Sequence, residues 1–151
     1  LEIDNYGFIS PEMEVIIAND ELQAITVAGS GSFMGAVRTS RDLKLIVSGS
    51  GSIATESEAD KIEAIISGSG DIRMKGSCKN LDANISGSGD MDFSNLQAID
   101  ADVSVSGSGD MAVNLTGKLD ASIAGSGDIV YKGNPEEVDK SISGSGSVEK
   151  F

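Results

Sequence analysis

The sequence predicts an all-β protein, a single-stranded parallel β-helix of about seven to eight coils with about 19 residues in each. Three observations predict it. Gly-Ser-Gly occurs seven times, beginning at Gly29, Gly49, Gly68, Gly87, Gly107, Gly125 and Gly144, at intervals of 20, 19, 19, 20, 18 and 19 residues. Apolar residues recur at fixed offsets from every copy. Between those offsets apolar and polar residues alternate, which is the period of a strand with one buried face.

Residues 1–28 are less regular and are expected to supply an N-terminal cap and the first coil; residues 29–151 are expected to be repeat coils of the same domain. Met13–Ala18 reads as a strand, with Pro11 breaking the chain just before it. Ile3, Tyr6, Phe8 and Ile9 are the natural cover for the first coil, because an open β edge invites pairing with another chain.

Within a coil, the first glycine of each motif is taken as position zero. Position −2 is β-branched in every copy: Val27, Val47, Ile66, Ile85, Val105, Ile123 and Ile142 form the expected core ladder. Position +4 holds Phe33, Ile53, Ile72, Met91, Met111, Ile129 and Val148, and position −6 holds Leu43, Ile62, Leu81, Ala101, Leu119 and Val138. Stacked at about 4.8 Å per coil, these columns would become continuous internal ladders.

The turn comes next. Its glycines are Gly29, Gly31, Gly49, Gly51, Gly68, Gly70, Gly87, Gly89, Gly107, Gly109, Gly125, Gly127, Gly144 and Gly146. They share the parity of the apolar columns, so a sharp bend with no inner room for a Cβ, or a demand for positive φ, is expected there. Past about +7 the pattern loosens at Glu56–Lys61, Gly76–Asn80, Gly117-Lys118 and Gly133-Asn134-Pro135, which read as turns. Leu96, Leu115 and Cys78 are candidates to close a third side. At the far end the chain stops after a seventh motif and Phe151, where self-association into a homo-oligomer is the natural expectation.

Composition limits the chemistry. The net charge of −13 repels phosphates and anionic lipid, so nucleic-acid and polybasic membrane binding are set aside. No run of about 18 apolar residues is present to span a membrane. The absence of His excludes a Ser-His-Asp triad, a Cys-His dyad and ordinary zinc sites. With one Cys there is no internal disulfide, and Cys78 reads as a small buried hydrophobe. Gly-Ser-Gly matches neither the nucleophile elbow nor the P-loop. No cofactor is called for. Leu1 is not an initiator Met, which predicts a processed or trimmed chain.

One column raises a question of its own. Asp71, Asp90, Asp110 and Asp128 occupy +3 in successive coils, and stacked like charges about 5 Å apart repel by roughly 1 kcal/mol per pair in water. Two offsets are open: hydrogen bonds from nearby backbone N–H groups, or a cation such as Ca²⁺ along the ladder. The carboxylates also leave a remote reading as a polysaccharide-active enzyme. Against that, Arg appears only at Arg38, Arg41 and Arg73. The outward Ser, Ser and Asp columns form a regular polar stripe: Ser67, Ser69, Asp71; Ser86, Ser88, Asp90; Ser106, Ser108, Asp110; and Ser126, Asp128. It is the candidate binding face; otherwise these small residues simply tolerate a tight exposed stack.

The repeats also resemble a known family. Leu81-Asp82-Ala83-Asn84-Ile85-Ser86-Gly87-Ser88-Gly89-Asp90-Met91 recurs, with Ala124 in place of the Ser, from Leu119 to Ile129. This pattern, with the closing stretch from Asp128 to Pro135 and on to Ser143–Ser147, resembles the bacterial family called putative auto-transporter adhesin, head GIN domain. The resemblance implies a right-handed parallel β-helix, the hand also preferred by parallel crossovers. It further implies an exported protein, commonly of Bacteroidetes, in the cell envelope or on the surface. Its role there would be adhesion to a protein or glycan, without catalysis. It carries no catalytic or ligand-binding residue onto this chain. A structural module that stacks end to end is the alternative role.

Overall fold

A computed structural model describes residues 7–9, 23–37 and 41–151. The alternation read from the sequence becomes strand wherever a neighbouring coil supplies a hydrogen-bonding partner. In chain order the strands are β1 (Gly7–Ile9), β2 (Ala24–Gly29), β3 (Ser32–Ala36), β4 (Asp42–Gly49), β5 (Ser52–Gly68) and β6 (Asp71–Gly87). They continue as β7 (Asp90–Gly107), β8 (Met111–Leu115), β9 (Lys118–Gly125), β10 (Ile129–Gly133), β11 (Glu137–Gly144) and β12 (Val148–Lys150). Every pairing among the described residues is parallel.

The partners are the residues one repeat apart. Val47 lies beside Ile66, Ile66 beside Ile85, Ile85 beside Val105 and Val105 beside Ile123. The chain is therefore a β-solenoid of about seven turns. Pairing of Gly7–Ile9 with Ile25–Val27 shows that the winding begins before the first Gly-Ser-Gly. Ile3, Tyr6, Pro11 and Met13–Ala18 lie outside the described residues. Of Phe8 and Ile9 only the backbone pairing is described.

The lumen is lined throughout by inward side chains, nearly all of them apolar. Val27, Val47, Ile66, Ile85, Val105 and Ile123 are each at most 2% exposed, and Phe33 to Val148 in the +4 column are buried as well. Leu96, Leu115 and Cys78 are buried too, with Ala98 in register with both Cys78 and Leu115. Burial pushes the Cys78 thiol up to about 12, so it stays protonated and unreactive at neutral pH.

Two expectations are corrected. Ile142 does not join the core ladder: it is 45% exposed, because among the described residues β11 pairs only with β9 and no further coil lies over it. Residues 56–61 and 76–80 are not turns but lie inside the 17-residue strands β5 and β6. Ser57 pairs with Gly76 and Ala59 with Cys78, so partners in the stack keep these turn-type residues in the ladder, Gly76 doing so at φ +119°. Local propensity yields to the ladder.

The corner glycines are demanded by the stack. Gly49 has φ +116°, and a Cβ there would sit 2.7 Å from the carbonyl oxygen of Gly29 in the coil below. A Cβ on Gly51 would lie 2.5 Å from both Gly31 O and Val27 Cγ1. The obstruction at the first glycine is thus the adjoining coil's backbone, met along the solenoid axis. At the second it is also the core ladder.

Candidate interaction face

Parity places the odd positions outside. Ser67, Ser69, Ser86, Ser88, Ser106, Ser108 and Ser126 are exposed, as are Asp90, Asp110 and Asp128, while Asp71 is half-buried. The register aligns them into straight columns: Ser67 beside Ser86, Ser86 beside Ser106, and Asp71 beside Asp90.

The Asp column is stapled to the backbone. The Asp110 N–H donates to Asp90 Oδ1 at 2.9 Å, and the Asp128 N–H donates to Asp110 Oδ1 at 2.9 Å. Ser147 donates to Asp128 Oδ1 twice, from its N–H at 2.7 Å and its Oγ at 2.9 Å. In earlier coils the same N–H bonds backbone instead, Ser52 to Gly31 O at 3.0 Å and Asp71 to Gly51 O at 3.1 Å. In the later coils the carboxylate therefore replaces a ladder acceptor. A charged acceptor makes the stronger bond, which offsets the repulsion along the column. Ca²⁺ needs six to eight oxygens about one point. Among the described residues no group of three Asp, Glu, Cys or His converges in a way that could hold a metal ion.

Around this column lies an open recess of about 470 Å³, lined by Asp71, Arg73, Asp90, Asp92, Asp110 and Asp128 over Met91, Met111, Ala112 and Val130. Hydrogen bonds from Ser94 hold the Asp92 carboxyl below its usual range, with Arg73 and Lys132 adding to the effect. The face is acidic, ridged at the coil spacing and interrupted by one guanidinium.

A second acidic column, not anticipated from the sequence, lies on the other side of the bend. Lys44 pairs with Glu63 and Glu63 with Asp82; Asp82, Asp102, Asp120 and Asp139 then follow in register. Its signal in the sequence is an acid at position −5 in five successive repeats. Lys44 bridges Glu63 at 3.1 Å at one end, and Lys118 bridges Asp139 at 3.1 Å and Glu137 at 3.4 Å at the other. Asp82 accepts from Asn84 Nδ2 at 2.8 Å. Asp102, in the middle, has no such partner among the described residues.

Partial desolvation, then the charges of Asp120 and Asp82, raise the Asp102 carboxyl above its usual range. A raised acid destabilises the folded state while ionised, and that penalty is relieved as pH falls through its folded value. Asp102→Asn is accordingly expected to raise Tm slightly at pH 7. The difference from the parent should shrink as the pH is lowered through the carboxylate range. Thermal melts at several pH values check both the sign and the trend.

The family model for the putative auto-transporter adhesin, head GIN domain matches residues 1–135, a span that holds six of the seven Gly-Ser-Gly corners. The chain belongs to this family. Two solved structures are similar to the head GIN domain chain. A putative lipid binding protein from Parabacteroides distasonis is 34% identical with a TM-score of 0.83, the alignment covering 97% of this chain and 58% of that one. A putative adhesin from Bacteroides fragilis is 26% identical with a TM-score of 0.75, covering 86% and 61% respectively. The head GIN domain chain thus spans about three fifths of the length of each. No curated protein matches it. Neither the family nor the two structures bear the name of an enzyme. Among the described residues no helix is long and apolar enough to cross a membrane.

Proposed function

We propose that the chain is a non-catalytic module of the cell envelope or surface that holds a protein or glycan against its lateral face. The observation that carries this reading is the in-register columns of Ser67, Ser86 and Ser106 with Asp71 and Asp90, which repeat one set of hydrogen-bonding groups at the coil spacing. A ligand with its own repeat gains from such a face, since each added unit binds beside the last at high effective concentration. The family's name and that of the Bacteroides fragilis neighbour support adhesion. The lipid binding named for the Parabacteroides distasonis protein finds less support here, because the lumen is filled by side chains such as Ile66 and Phe93 at 0% exposure.

The test is an array of glycans and matrix proteins probed with the parent chain and with Asp90→Asn/Asp110→Asn/Asp128→Asn. Asn keeps an oxygen for the coil-to-coil N–H bonds while removing the charge. Binding by the parent that falls at least tenfold in the variant, at unchanged Tm, is the expected result. No binding above the variant's level anywhere on the array overturns the reading.

A second reading rests on a different observation. The last coil exposes Ile142 at 45% and Phe151 at 83%, an apolar end that a second copy could cover. End-to-end stacking then predicts light scattering that grows with concentration and is lost in Ile142→Asp/Phe151→Ser.

A further inference from the structure

Among the described residues the lumen contains one polar spot. Thr55 and Ser57 point inward from β5 at 6% and 3% exposure, and neither Thr55 Oγ1 nor Ser57 Oγ has a hydrogen-bond partner among the described residues. Later coils fill the Thr55 position with Met74, Phe93, Val113 and Tyr131, all buried. Buried hydroxyls in folded proteins are almost always paired, and an unpaired one is costly. Among the described residues these two need a third party.

Their neighbours in the stack explain why no side chain serves. Thr55 lies in register with Gly35 on one side and Met74 on the other, so it meets no side chain below and a thioether above. Ser57 lies in register with Gly76, whose missing Cβ would otherwise collide with the Ser57 carbonyl. The hydroxyls cannot serve each other directly. Residues two apart on one strand face are separated by about 6.6 Å along the chain. Two hydrogen bonds of about 2.8 Å meeting at one oxygen span most of that gap.

We propose that Thr55 and Ser57 form an internal water site, with a single water bridging Thr55 Oγ1 and Ser57 Oγ inside the second full coil. The two hydroxyls give it two polar partners, the lower bound of what a buried water requires. The site is separate from the lateral face and does not depend on what that face binds.

A double-mutant cycle with Thr55→Val, Ser57→Ala and the pair together tests the site. Each single change strands the remaining hydroxyl and is expected to lower Tm by roughly 2–4 °C. The double variant removes both hydroxyls and the water together and should melt no lower than either single variant. Thr55→Ser keeps the hydroxyl and should preserve the coupling to Ser57. A high-resolution crystal structure of the parent should show one water within hydrogen-bonding distance of both oxygens. Additive Tm losses overturn the site, as do hydroxyls turned to backbone carbonyls with no water between them.

Discussion

Gly87→Ala is expected to lose about 3 kcal/mol or more of stability, from the smallest possible added side chain. Gly87 has φ +135°, a region that side chains with a Cβ rarely adopt. The added Cβ would also meet the Gly68 carbonyl, with the Gly68 carbonyl carbon 3.0 Å away. That obstacle is backbone held by the ladder on both sides, so it cannot swing away as a flexible side chain would. Gly29 supplies the control. It shares the turn and has φ +86°, but among the described residues nothing lies within 4 Å of its would-be Cβ. Gly29→Ala should therefore cost only the conformational strain, about 1–2 kcal/mol. Denaturant titration of both variants separates the two causes. Equal losses would show that stacking contributes nothing at these corners.

Ile66→Ala should cost about 2–5 kcal/mol, while Ile142→Ala in the same column should cost under about 1 kcal/mol. Both residues sit two before a Gly-Ser-Gly, and the repeat pattern gives them the same inward place. Ile66 is 0% exposed, between Val47 and Ile85, whereas Ile142 is 45% exposed, with Ile123 on one side only. Truncating Ile66 leaves a cavity inside a continuous ladder; truncating Ile142 removes contacts from a single face. Chemical denaturation midpoints at unchanged m-value give the comparison. A large loss at Ile142 would mean that a second copy covers the last coil in solution.

Much of the candidate face is legible in the sequence because a solenoid converts spacing along the chain directly into spatial adjacency. The column of Asp71, Asp90, Asp110 and Asp128 follows from the repeat alone, since residues one repeat apart must be neighbours. What those carboxylates bond does not follow from it. The N–H one coil on from Asp90 is taken by its side chain, while the N–H of Asp71 is taken by Gly51 O, a difference that the repeat spacing does not encode. The acidic column through Asp82, Asp102 and Asp120 has the same regular spacing, but it lies away from the glycine motif that draws the eye. Residues 56–61 mislead for the opposite reason: polar and charged, they look like a loop, and only the partners at 75–80 make them strand.

The repeat alone determined the winding, the inward columns and the direction in which charge would be stacked, because period-two alternation and a 19-residue spacing admit few other solutions. The tertiary structure decided which members of each column are covered, which acceptor each N–H finds, and where the lumen turns polar at Thr55 and Ser57. Those outcomes depend on what lies in the adjacent coil at a given height. A residue's own sequence neighbourhood contains no record of that.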